Sequence, residues 1–87
     1  METLVDLVNT FNSNGVYADI RCYSSQRHFY LHLHKPGVGI WQMEIEFFKH
    51  KNGSEFYLYD CWFHSEKELV ELIYNQITKT EYVDWFA

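Results

Sequence analysis

Within the stretch from Arg27 to His34, polar and apolar residues alternate without a break from His28 onward. Phe29, Leu31 and Leu33 point one way; His28, Tyr30, His32 and His34 point the other. A period of two is the mark of a strand with one buried face. The same alternation flanks this run on both sides. Val16, Ala18, Ile20 and Cys22 alternate with Tyr17, Asp19, Arg21 and Tyr23, and Trp41, Met43, Ile45 and Phe47 alternate with Gln42, Glu44 and Glu46. The pattern predicts strands over 16–23, 27–34 and 40–50.

The two ends of the chain follow a different period. Leu4, Leu7, Val8 and Phe11 take the three-four spacing of one apolar helix stripe, which predicts a helix over 1–14. Glu2 and Asp6 lie in its first turns, where the helix dipole favours negative charge. Asn12-Ser13-Asn14-Gly15 stops it, with Gly15 free to adopt a left-handed conformation. Leu69, Val70, Ile73 and Ile77 make a second stripe, opened by Ser65-Glu66-Lys67-Glu68 in capping-box spacing. Ser24-Ser25-Gln26 and Lys35-Pro36-Gly37-Val38-Gly39 are turn or loop chemistry. Asn52-Gly53 is a hairpin signal, and it predicts a fourth strand over 54–63. The tail from Glu81 to Ala87 is short and aromatic, suited to docking on the core or to extending as an arm.

The order is therefore α-β-β-β-β-α in one domain spanning 1–87. Short connections force antiparallel neighbours, so the strands form a four-stranded meander. Both helix stripes need shelter, and one face of the sheet provides it. The expected fold is an α+β two-layer sandwich, an N-terminal and a C-terminal helix on one face and the other face bare. Matching core faces sets Cys22, Ile20 and Ala18 opposite Phe29, Leu31 and Leu33, and these opposite Ile45, Met43 and Trp41. Asp19 then falls beside His32, Arg21 beside Tyr30, and His28 beside Glu46; a slip of two residues would keep the faces and change the partners. The fourth strand is apolar on both sides. If Phe56 and Leu58 face the core, so does Asp60. An unpaired buried carboxylate is costly, which favours the phase with Tyr57, Tyr59, Cys61 and Phe63 inward.

Composition sharpens this. Seven Tyr, seven Phe and three Trp among 87 residues exceed what a small core encloses, so some rings belong on the surface. Twelve acids against seven bases give a net charge of −5. With the bases scattered, direct nucleic-acid binding is not expected, even though Tyr17, Tyr23 and Tyr30 on a bare sheet suggest a stacking platform. Cys22 and Cys61 lack C-x-x-C spacing and read as reduced, buried residues of a cytosolic protein, with a disulfide between strands as the reading for an exported chain. No charged-then-apolar leader opens the chain, and no apolar run approaches the ~20 residues of a bilayer span, so a cytoplasmic protein without a membrane role is expected.

Candidate chemistry lies on the bare face. His32 and His34, two apart and roughly 6.6 Å along a strand, suit a zinc ion with Asp19, Tyr17 or Gln42 as a third group, but no Cys/His quartet accompanies them. His28, Glu46, Tyr30 and Arg21 suit acid–base catalysis of the small-ribonuclease kind, in an acidic surround that repels RNA. No cofactor is implied. The composition fits protein contact better, with another protein that has a basic surface or with a second copy, face to face. In size and charge alone the chain resembles inhibitors carried by phages and mobile elements, some of which imitate the charge of DNA. Glu44, Glu46, Glu55 and Asp60 are a thin stripe for such a mimic. The expected function is a non-enzymatic interaction module, possessing Tyr17, Tyr30, His32, Glu44, Glu46 and Phe48 as its contact residues. The alternative is an acid–base enzyme or zinc domain using His28, His32 and His34.

Overall fold

The computed structural model describes residues 1–22 and 27–79. Helix α1 spans Leu4–Ser13 and helix α2 Glu66–Thr78; between them lie β1 (Tyr17–Cys22), β2 (His28–Lys35), β3 (Gly39–His50), β4 (Gly53–Leu58) and β5 (Cys61–Phe63). The five strands form one antiparallel sheet in chain order. Tyr23, the turn at 24–26 and the aromatic tail at 81–87 lie outside the described residues.

The α+β meander with both helices on one face is the fold that the pattern predicts, with one strand more. Its register agrees as well. Ala18, Ile20 and Cys22 pair with Leu33, Leu31 and Phe29, and these with Trp41, Met43 and Ile45. Val16, Leu31, Leu33, Met43, Ile45, Phe56 and Leu58 meet Leu4, Leu7 and Phe11 of α1 and Leu69, Val70, Ile73 and Ile77 of α2 in one buried cluster.

The fourth strand requires a correction. Phe47 pairs with Phe56, so Phe56 and Leu58 face the core, while Tyr57 lies on the opposite face and Tyr59 and Cys61 are exposed. Only Phe63 of the expected inward set packs against the core. The carboxylate penalty does not arise because the strand ends before Asp60. Tyr59 and Asp60, at φ 53° and 62°, form a two-residue turn of the kind that matches hairpin twist, and the chain reverses into β5. Asp60 is thereby lifted out to solvent.

The cysteines also depart from expectation. Both are free and exposed, because Cys22 ends β1 and Cys61 begins β5, at opposite edges of the sheet. Four strand spacings, roughly 19 Å, separate the two edges, beyond the reach of a disulfide within the chain.

Local signals account for the ends of the elements. Thr3 caps α1 in a capping box with Asp6: the Thr3 hydroxyl accepts from the Asp6 N–H at 3.1 Å, and the Asp6 carboxylate accepts from the Thr3 N–H at 3.1 Å. The Glu2 N–H adds a third bond at 3.2 Å. These bonds hold the Asp6 carboxyl below its ordinary range, the Glu2 bond contributing most. Helix α1 thus starts at Leu4, three residues later than the spacing predicts. Gly15 takes φ 79° after it, the left-handed conformation expected there. At α2 the Ser65 hydroxyl accepts from the Glu68 N–H at 3.1 Å, one half of the predicted box. Glu66 turns to the other helix, where its carboxylate accepts from the Leu4 N–H at 2.7 Å. Between β2 and β3, Pro36 and Gly37 make a turn closed by the Val38 N–H on the Lys35 carbonyl, with Gly37 at φ 80° as such a turn demands. Among the described residues no helix is long and apolar enough to cross a membrane.

Candidate interaction surface

Strand alternation puts a second set of side chains on the face away from the helices. Tyr17, His34 and Ile40 form one cross-strand row; Asp19, His32 and Gln42 the next; then Arg21, Tyr30 and Glu44. His28, Glu46, Tyr57 and Trp62 make a four-strand row, followed by Phe48 with Glu55. All six predicted contact residues, Tyr17, Tyr30, His32, Glu44, Glu46 and Phe48, therefore lie on this face. They do not form one patch. Tyr17 lies at one edge, its ring stacked 6.2 Å from that of His34 and next to the 69% exposed Ile40. Phe48 lies toward the other.

The corrected fourth strand supplies what the pattern reading missed. Tyr57 comes to the open face and β5 brings Trp62 beside it, their ring centroids 5.0 Å apart and tilted by 54°. Phe48 stands 5.2 Å from the same indole at 48°. Both pairs fall in the separation at which tilted aromatic rings attract. Trp62 is 51% exposed, which leaves a cluster of three rings open to solvent. The signal for this was Asp60 itself. A carboxylate at an apolar-phase position marks the end of a strand, and a break there returns Trp62 to the side of Tyr57.

Carboxylates border the cluster. Glu44, Glu46 and Asp60 line a depression of about 230 Å³ with Tyr57, Leu58 and Tyr59. The Tyr57 hydroxyl donates to the Asp60 carboxylate at 2.8 Å, and this bond, ahead of burial and of the neighbouring negative charges, raises the phenol above its ordinary range. Burial alone raises that of Tyr59. On the other side of the rings Glu55 lies between two imidazoles, 3.1 Å from His50 Nε2 and 3.7 Å from His64 Nδ1. His28 Nε2 stands 3.4 Å from Glu44 and 3.5 Å from Glu46. All five histidines of the chain thus belong to this face.

The alternative chemistries find less support. His34 is taken up by its stack on Tyr17, and the buried Nδ1 of His32 has no hydrogen-bond partner among the described residues. No group of three or more His, Cys, Asp or Glu among the described residues is placed to hold a metal ion. His28 has carboxylates beside it, as acid–base work requires. Arg21, the cation that a phosphate would need, is engaged by Asp19 at 3.1 Å.

Comparison with models of known families, with curated proteins and with solved structures returns no match to this chain.

Proposed function

We propose that the chain is a small non-catalytic binding domain that docks on another protein through its uncovered sheet face. The observation that supports this best is the solvent-open cluster of Phe48, Tyr57 and Trp62 on that face. Exposed aromatic groups with a polar rim are the usual anchors of protein interfaces. Covering the open half of Trp62 alone would remove roughly 100 Å² of ring surface from water, a contribution of about 2.5 kcal/mol. The surrounding carboxylates of Glu44, Glu46, Glu55 and Asp60 favour a partner with a basic surface. Size and net charge add the more specific role of an inhibitor or regulator that occupies a host protein's basic site, of the sort phages and mobile elements carry. Two exposed free thiols suit the reducing cytosol.

The test compares tagged wild type with Trp62→Ala and with a Glu44→Lys/Glu46→Lys variant, each used to capture the partner from the source cell. The expected result is one protein that wild type retains and both variants lose, with unchanged far-UV circular dichroism. Equal retention by all three would remove the open face from the function. A dimer of wild type in sedimentation that becomes a monomer in Trp62→Ala would assign the face to a second copy instead.

A further inference from the structure

The carboxylates that border the aromatic cluster are the ones the histidines touch. His28 stands against Glu44 and Glu46, and both His50 and His64 against Glu55, at 3.1 to 3.7 Å. We infer that the partner presents arginine or lysine side chains to Glu44, Glu46 and Glu55, and that His28, His50 and His64, when protonated, compete with those cations, so that docking weakens as the pH falls. The inference rests on the docking reading above and adds to it the partner's chemistry and its regulation.

Charge on the face supports it. Its strand positions and the Tyr59–Asp60 turn hold five carboxylates (Asp19, Glu44, Glu46, Glu55 and Asp60) against the Arg21 guanidinium, an excess of four negative charges. Histidine is the side chain whose charge ordinarily changes between about pH 5 and 8. Five protonated imidazoles would leave the same face with one positive charge. His28 faces the two glutamates of β3, with Tyr57 of β4 beyond Glu46 in the same row. His64 faces Glu55 of β4. His50 faces Glu55, and it lines a common depression with two cations, Arg27 and Lys49. A protonated imidazole beside a carboxylate is an internal counterion, and a partner's cation must displace it. By linkage, the factor by which protonation weakens docking is the factor by which docking opposes protonation.

The probe is a fluorescein-labelled hexa-arginine peptide, its affinity read by anisotropy at pH 7.5 and 5.5 at constant ionic strength. Wild type is expected to bind about tenfold more weakly at the lower pH, the product of three exposed pairs each worth roughly a factor of two. His28→Gln/His50→Gln/His64→Gln should bind with less than twofold dependence on pH. Glu44→Gln/Glu46→Gln/Glu55→Gln should lose binding at pH 7.5, whereas Glu2→Gln/Glu68→Gln/Glu71→Gln, with the same change in net charge away from the face, should keep it. Equal wild-type affinity at both pH values, with Glu44→Gln/Glu46→Gln/Glu55→Gln still defective, would overturn the proton linkage and leave the docking face intact. An unchanged pH dependence in the histidine triple would overturn the role of those three residues. Equal binding by the two glutamate-to-glutamine triples would overturn the basic partner at this face.

Discussion

Tyr59 holds φ at 53°, a left-handed conformation that costs a non-glycine residue of order 1–3 kcal/mol and that Asn and Asp tolerate best. Asp60, at φ 62°, is suited to its place; Tyr59 is not. Its ring lines the acidic depression beside Glu44, Glu46 and Asp60, within the proposed docking face. Tyr59→Asn is therefore expected to raise stability by about 1 kcal/mol in urea denaturation and to weaken capture of the partner. Lower stability in the variant would show that the contacts of the largely exposed ring outweigh the backbone strain. At this scale the sequence was legible wherever the side chain carried its own signal. Gly15 and Pro36-Gly37 announced their turns, whereas at Tyr59-Asp60 the one signal was the out-of-phase carboxylate, because no Tyr-Asp pair marks a hairpin.

At the level of elements, β1 leaves one edge of the sheet open, and α1 closes part of it. The Asn12 carboxamide acts as a short stretch of neighbouring strand: its Oδ1 accepts from the Ala18 N–H at 2.9 Å and its Nδ2–H donates to the Ala18 carbonyl at 3.4 Å. An unpaired strand edge is a template for another chain, and a side chain that occupies its bonding groups blunts it. Removing the amide in Asn12→Ala is expected to cost about 1 kcal/mol and to increase self-association at high concentration. Thermal unfolding and size-exclusion chromatography read the two effects; a variant as stable and as monodisperse as wild type would show the edge to be protected by other means. The spacing of Asn12-Ser13-Asn14-Gly15 identified a helix end, but it contained nothing to reveal that Asn12 reaches six residues onward to the adjoining strand. Elements with one strict period were readable, and β4–β5 was not, since both of its faces are apolar and periodicity has no contrast there.

Across the whole molecule the proposed docking role and the stability of the fold fall on opposite faces of one sheet. The helix side carries the buried cluster, in which Phe11, Leu31, Leu33 and Ile45 are fully enclosed. Truncation there creates a cavity, and Phe11→Ala is expected to cost about 3–5 kcal/mol in urea denaturation. The open side carries the rings and charges. Glu44→Lys/Glu46→Lys should change the unfolding free energy read in urea by no more than about 0.5 kcal/mol, as exposed substitutions do, while abolishing capture. A large loss of stability in that pair would mean that the open face is part of the fold's support rather than a surface left for a partner.

By itself the sequence determined the two helices, three of the strands and which face of each turns to the core. Each of these follows from the period of apolar side chains, a local property that burial on one side imposes on the chain. Only the tertiary structure decided the rest: the turn that splits the last strand, the exposure of both cysteines at opposite edges, and the meeting of Phe48, Tyr57 and Trp62 beside His28, His50, His64 and their glutamates. Those contacts join residues of different strands, and where a strand is apolar on both faces only packing against the helices chooses which face turns inward.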